Sequence, residues 1–148
     1  MPVSTENCAV FNPSLHEVAA GDLPSAHICN PLPKLLRRVT ILMGNVTQSE
    51  REISYDHLVL ALGSETNYSG IPGIRDHAMG IRSLGDAIML RAGVIAMLKI
   101  ASVESDTERR KRMLTFVVMS GGLAGVETVG AINDLAREPA AVWPDRSA

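Results

Sequence analysis

The chain reads as an α/β protein with a mainly parallel sheet, and three observations predict it. Val39-Thr-Ile-Leu-Met43, Leu58-Val-Leu-Ala-Leu62 and Phe116-Val-Val-Met119 are rich in apolar and β-branched residues, as strands covered on both faces are. Between and after them run stretches with helical spacing, from Ser83 to Leu98 and from Val126 to Leu135. Phe116–Met119 also leads through Ser120-Gly-Gly-Leu-Ala-Gly125 directly into a helix. Strands alternating with helices define this class. Too few strands are legible on either side of Gly70 to close a sheet, so the expected fold is incomplete.

The elements follow in order. Phe11-Asn-Pro13 predicts a turn, Leu15–Ala20 a short helix, and Gly21-Asp-Leu-Pro24 its break. Asn30-Pro31 opens a helix with Leu32, Leu35 and Leu36 on one face, since proline is accepted in a first turn. The strand at Val39–Met43 passes through a polar turn into a short return ending at Ile53. A second strand covers Tyr55 to Gly63, and the Gly/Pro-rich loop through Gly70, Pro72 and Gly73 marks a domain crossing. Ser83 caps the next helix, with Asp86 completing a capping box. Its predicted inner face is Leu84, Ile88, Arg91, Ile95 and Leu98, broadened by Ala87 and Val94. Asp106–Met113 is a short charged helix. The helix after Gly125 places Val126, Val129, Ile132 and Leu135 on one flank, and Pro139 stops it.

Composition narrows the function. The 148 residues are 46% hydrophobic but only 3% aromatic, so aliphatic side chains and Met must fill the core. A net charge of −2 argues against capture of nucleic acid or anionic lipid. The cluster Arg109-Arg-Lys-Arg112 stands beside Glu104, Asp106 and Glu108 and reads as a solvated helix end. Cys8 and Cys29 lie far apart with no C-x-x-C, which argues against a disulfide framework, a zinc site and thiol redox catalysis. His16, His27, His57 and His77 have no metal-ligand spacing. His16 reads as a hydrogen-bonded structural histidine, and Arg91 as the partner of an acid. No apolar run reaches the roughly eighteen residues of a membrane span and no signal peptide is visible, so a cytoplasmic chain is expected.

The chemistry concentrates at Ser120–Glu127. Gly122 and Gly125 occupy the second and third glycine positions of G-x-G-x-x-G, and Ser120 stands at the first. Such a loop lets backbone approach a pyrophosphate, while the helix N-terminus supplies N–H donors and a positive dipole end. The plainer reading is a glycine turn that only packs helix on strand. The Ser120 hydroxyl either strains the turn or donates to a phosphate. Glu127 either favours the helix dipole or serves the site.

Several segments together resemble the FAD-dependent pyridine nucleotide oxidoreductases, most closely the type II NADH dehydrogenases (NADH:quinone oxidoreductases). They are Phe11–Gly21, Tyr55–Gly63, Gly70-Ile-Pro-Gly73, Ser83-Leu-Gly-Asp-Ala87 with Leu90-Arg91, and Phe116–Glu127. The resemblance covers nearly the whole chain in the family's order. It implies a Rossmann-like FAD/NAD(P)-binding fold, with FAD and NAD(H) as cofactors and a quinone as acceptor. Ala61-Leu-Gly63 with Ser64 looks like the family's A-T-G segment against FAD, with Leu62 in place of threonine. Phe11–Gly21 resembles the stretch near the flavin ring. Ser120, Gly121, Gly122 and Gly125 match the NADH pyrophosphate loop, and Glu127 a glutamate near the nicotinamide. No side chain is implied as a mandatory acid or base.

Against the family pattern, the FAD pyrophosphate loop, the late Gly-Asp segment and the C-terminal membrane helices are missing. An acid for the NADH ribose is expected about 20 residues past the glycine loop, where Glu138 and Asp145 stand without a strand. The resemblance therefore implies an internal fragment: a partial FAD-binding domain at 1–63, a crossing linker at 64–82, and a partial NAD(H)-binding domain at 83–148. Such a piece either belongs to a split enzyme whose partner chain supplies the missing strands, or is a binding module without catalysis of its own.

Overall fold

Ser83 starts the longest helix of the chain, and its local chemistry is that of a closed capping box. The Asp86 N–H donates to Ser83 Oγ at 3.1 Å, and the Ser83 N–H donates to Asp86 Oδ2 at 2.8 Å. The structure, a computed structural model, describes residues 1–45 and 52–137. In chain order the elements are β1 (Val3–Ser4), β2 (Cys8–Val10), a 3-10 turn (Asn12–Ser14), α1 (Leu15–Ala20), α2 (Ser25–Ile28), β3 (Cys29–Pro31) and α3 (Leu32–Leu35). They continue with β4 (Leu42–Met43), α4 (Ile74–His77), α5 (Leu84–Val103), α6 (Thr107–Met113) and α7 (Leu123–Arg137). The chain divides into two compact units, 1–9 with 29–78, and 10–28 with 79–148.

The first unit is strand-poor. β1 and β4 pair in parallel, Val3 opposite Leu42 and Ser4 opposite Met43. The predicted strand at 39–43 is thus reduced to its last two residues. β2 and β3 form a separate two-stranded sheet. Tyr55–Gly63 forms no strand: Val59 is 85% exposed and Leu62 80%. The reason is physical. An apolar run becomes a strand only when a neighbour takes its N–H and C=O groups and something covers its faces, and the described residues of this unit supply neither. Past it, Ser69, Gly70 and Gly73 take left-handed backbone, and the Arg75 guanidinium sits 5.2 Å from the Tyr68 ring centre. Residues 46–51 of the predicted turn, Pro139, and both Glu138 and Asp145 lie outside the described residues.

The second unit is helical and holds the core. Leu15, Val18 and Ala19 of α1 pack with Ile28 and Ala87, joined by Val10, Leu23, Ile81, Leu84 and Leu90. Further along α5, Val94 and Leu98 pack with Ile132 and Leu135 of α7, joined by Leu90, Phe116 and Val118. Both helix faces overlap their predicted positions in part. On α5 the buried residues are Ala87, Val94, Leu98 and Ala101, with Ile88 outside. On α7 they are Gly125, Thr128, Ala131, Ile132 and Leu135, with Val126 and Val129 outside. Small residues win the inner positions because they let the backbone come close. Buried Thr128 satisfies its hydroxyl on the Ala124 carbonyl at 2.6 Å.

Among the described residues Phe116–Met119 pairs with no strand. Phe116 and Val118 face the helices, while Val117 is 79% exposed. The run therefore has one covered face rather than two.

Candidate functional site

The glycine loop is built by a close approach at its far end. A Cβ on Gly125 would stand 2.5 Å from the Ser120 Cβ and 2.7 Å from the Ser120 carbonyl oxygen. Only glycine fits there, so the third glycine position has a packing reason. Gly121 and Gly122 differ. Neither has positive φ, and a Cβ on Gly121 meets nothing, while one on Gly122 only reaches Ser120 Oγ at 4.0 Å. The space in front of them is open.

The Gly125 and Val126 N–H groups are taken by the Gly122 carbonyl at 3.1 and 3.2 Å. Among the described residues, the N–H groups of Gly121, Gly122, Leu123 and Ala124 have no backbone acceptor, as the first turn of a helix dictates. These donors stand at the positive end of the fifteen-residue α7.

Glu127 sits past the first turn of α7, which begins at Leu123, so the dipole reading weakens. Its Oε2 is 3.5 Å from His16 Nδ1 on α1. Sequence reasoning missed this pairing because 16 and 127 are remote in the chain. Arg91 corrects its expectation too. Among the described residues it forms no ion pair, and its Nε is buried without a hydrogen-bond partner. Its guanidinium packs on Gly21 instead, where a Cβ would fall 2.5 Å from Arg91 Cζ. Gly21 has φ +92 and ends α1, so the Arg91 guanidinium lies beside the C-terminus of that helix.

Ala61, Gly63 and Ser64 lie in the other unit, on the exposed extended run. Gly63 has φ +75, and a Cβ there would meet nothing within 4 Å. Cys8 and Cys29, distant in sequence, stand on the two strands of one sheet, and both are free thiols. Among the described residues no three His, Cys, Asp or Glu gather to hold a metal, and no helix is long and apolar enough to cross a membrane.

The profile of the pyridine nucleotide-disulphide oxidoreductases matches residues 31–143, and the chain belongs to that family. Among its relatives, the type II NADH:quinone oxidoreductase of Mycobacterium tuberculosis is 33% identical over 86% of this chain and 31% of its own. The mitochondrial external alternative NADH-ubiquinone oxidoreductase of Yarrowia lipolytica is 27% identical over 97% of this chain and 29% of its own. The Arabidopsis thaliana B3 enzyme, an external alternative NAD(P)H-ubiquinone oxidoreductase, is 27% identical over 92% of this chain and 28% of its own. The chain thus spans 28 to 31% of the length of these relatives.

Proposed function

We propose that this chain carries the NADH-binding loop of a flavin-dependent NADH dehydrogenase whose electrons pass to a quinone. The observation that carries the reading is the set of amides from Gly121 to Ala124 that have no described backbone acceptor at the start of α7. Those amides bind the pyrophosphate, Gly125 lets the backbone approach it, and Ser120 borders the loop. Glu127, held by His16, lies toward the nicotinamide end. When bound, FAD accepts the hydride that NADH gives up, so the protein's task is to position two rings. Ala61, Gly63 and Ser64 are the residues that would lie along FAD. On this reading residues 1–63 belong to the flavin half, 64–82 to the crossing and 83–148 to the NADH half.

A second reading has support from the open flavin side: the polypeptide by itself is a dinucleotide-binding module without turnover, or one piece of a split enzyme. NADH fluorescence titration of the purified chain and its Gly122→Leu variant tests the loop. We expect saturable binding by the parent and none by the variant, with unchanged helical circular dichroism. Binding retained in Gly122→Leu overturns the loop as the site. Absorbance of the same preparation separates the readings: bound yellow flavin favours the enzyme, colourless protein that binds NADH favours the module.

A further inference from the structure

Cys8 and Cys29 have no part in the nucleotide reading, yet the fold brings them together. β2 and β3 lie side by side in their own sheet, and the neighbouring Leu32 N–H donates to the Asn7 carbonyl at 2.8 Å. Both thiols are free and half-buried, and each lies on one of the two paired strands. We propose that Cys8 and Cys29 form a dithiol–disulfide pair, oxidised to an intramolecular bridge by a low-molecular-weight disulfide. One cysteine thiolate attacks a sulfur of the external disulfide, forms a mixed disulfide and releases one small thiol. The second cysteine then attacks the protein sulfur of that mixed disulfide and releases the other. Two S–H bonds are replaced by one S–S bond, and both protons and both electrons leave with the two small thiols.

The contact with Cys29, then partial burial, then the charges of Cys29 and Glu6, push the Cys8 thiol up from 9.0 to about 11. The bridge closes the chain between the two strands, a stretch that contains α1 and His16. This inference stands apart from nucleotide binding.

The test treats the full chain with excess oxidised glutathione under native conditions, followed by acid quench, intact mass and peptide mapping. The expected product is a monomer lighter by two hydrogens with a Cys8–Cys29 linked peptide, formed faster in the folded chain than in denaturant. Cys8→Ser and Cys29→Ser should each instead retain one glutathione. A wild-type chain carrying glutathione on both cysteines, linked as dimers, left unreacted, or bridged no faster when folded would overturn the pair. The wild-type masses decide this even if a variant misfolds.

Discussion

A methyl group at residue 125 has nowhere to go. Gly125→Ala sets a Cβ against both the side chain and the backbone carbonyl of Ser120, and the backbone cannot rotate away as a flexible side chain does. We expect a loss of about 1–3 kcal/mol, the usual cost of overpacking, read as a lower denaturation midpoint. Gly122→Leu should leave that midpoint nearly unchanged, because its Cβ enters open space. The two glycines thus separate stability from binding. Gly21→Ala combines left-handed backbone with a clash on the Arg91 guanidinium; the backbone term alone costs about 1–2 kcal/mol. Of these positions, Gly125 was legible from the fingerprint spacing. The seat of Arg91 on the end of α1 was not, because local sequence predicts acid partners more readily than a helix terminus remote in the chain. The meeting of His16 with Glu127 was hidden for the same reason.

At the scale of elements, what was legible is what local chemistry decides. α1 runs over its predicted residues because Gly21 terminates it, and α5 starts where Ser83 and Asp86 close the box. Ser83→Ala should cost about 1 kcal/mol, the typical worth of an N-cap, and thermal unfolding would measure it. Partial burial pushes the Asp86 carboxyl up. The Ser83 and Arg82 N–H donors, the Ser83 hydroxyl and the Arg82 charge together bring it below its ordinary 3.8. A carboxyl lowered in the folded state stabilises above its unfolded value and loses that contribution as pH falls through the folded one. Stability should therefore fall on acidification below about pH 4, the ordinary carboxylate range, and the fall should be smaller in Asp86→Asn. An undiminished fall in that variant would assign the acid sensitivity elsewhere. The strands were the illegible part. Whether Leu58–Leu62 or Phe116–Met119 becomes a strand depends on a neighbour, and no local pattern contains the neighbour. On the helix faces Ala87, Val94, Leu98, Ile132 and Leu135 were legible; elsewhere on α7 hydrophobicity favoured Val126 and Val129, while close packing selected Gly125, Thr128 and Ala131.

For the molecule as a whole, regular structure and burial are distributed unevenly between the two units. The buried side chains of the core lie on α1, α2, α5 and α7, whereas Leu58, Val59, Leu60 and Leu62 are exposed on backbone with no described strand partner. Local opening free energy tracks buried contacts and protected hydrogen bonds, so protease should distinguish the two regions. A protease specific for large apolar residues, used in limiting amount, should cut first between Tyr55 and Leu62. The α5 region, equally rich in Leu, Ile and Met, should survive until much later, because a helix must unfold locally to enter a protease cleft. N-terminal sequencing or mass mapping of early fragments reads the order directly. First cleavage within Leu84–Val103 would show that the helical core is the weaker part. Protection of residues 55–62 that develops with protein concentration would instead show the bare apolar run paired between molecules, the outcome that exposed, unpartnered strand-forming sequence favours.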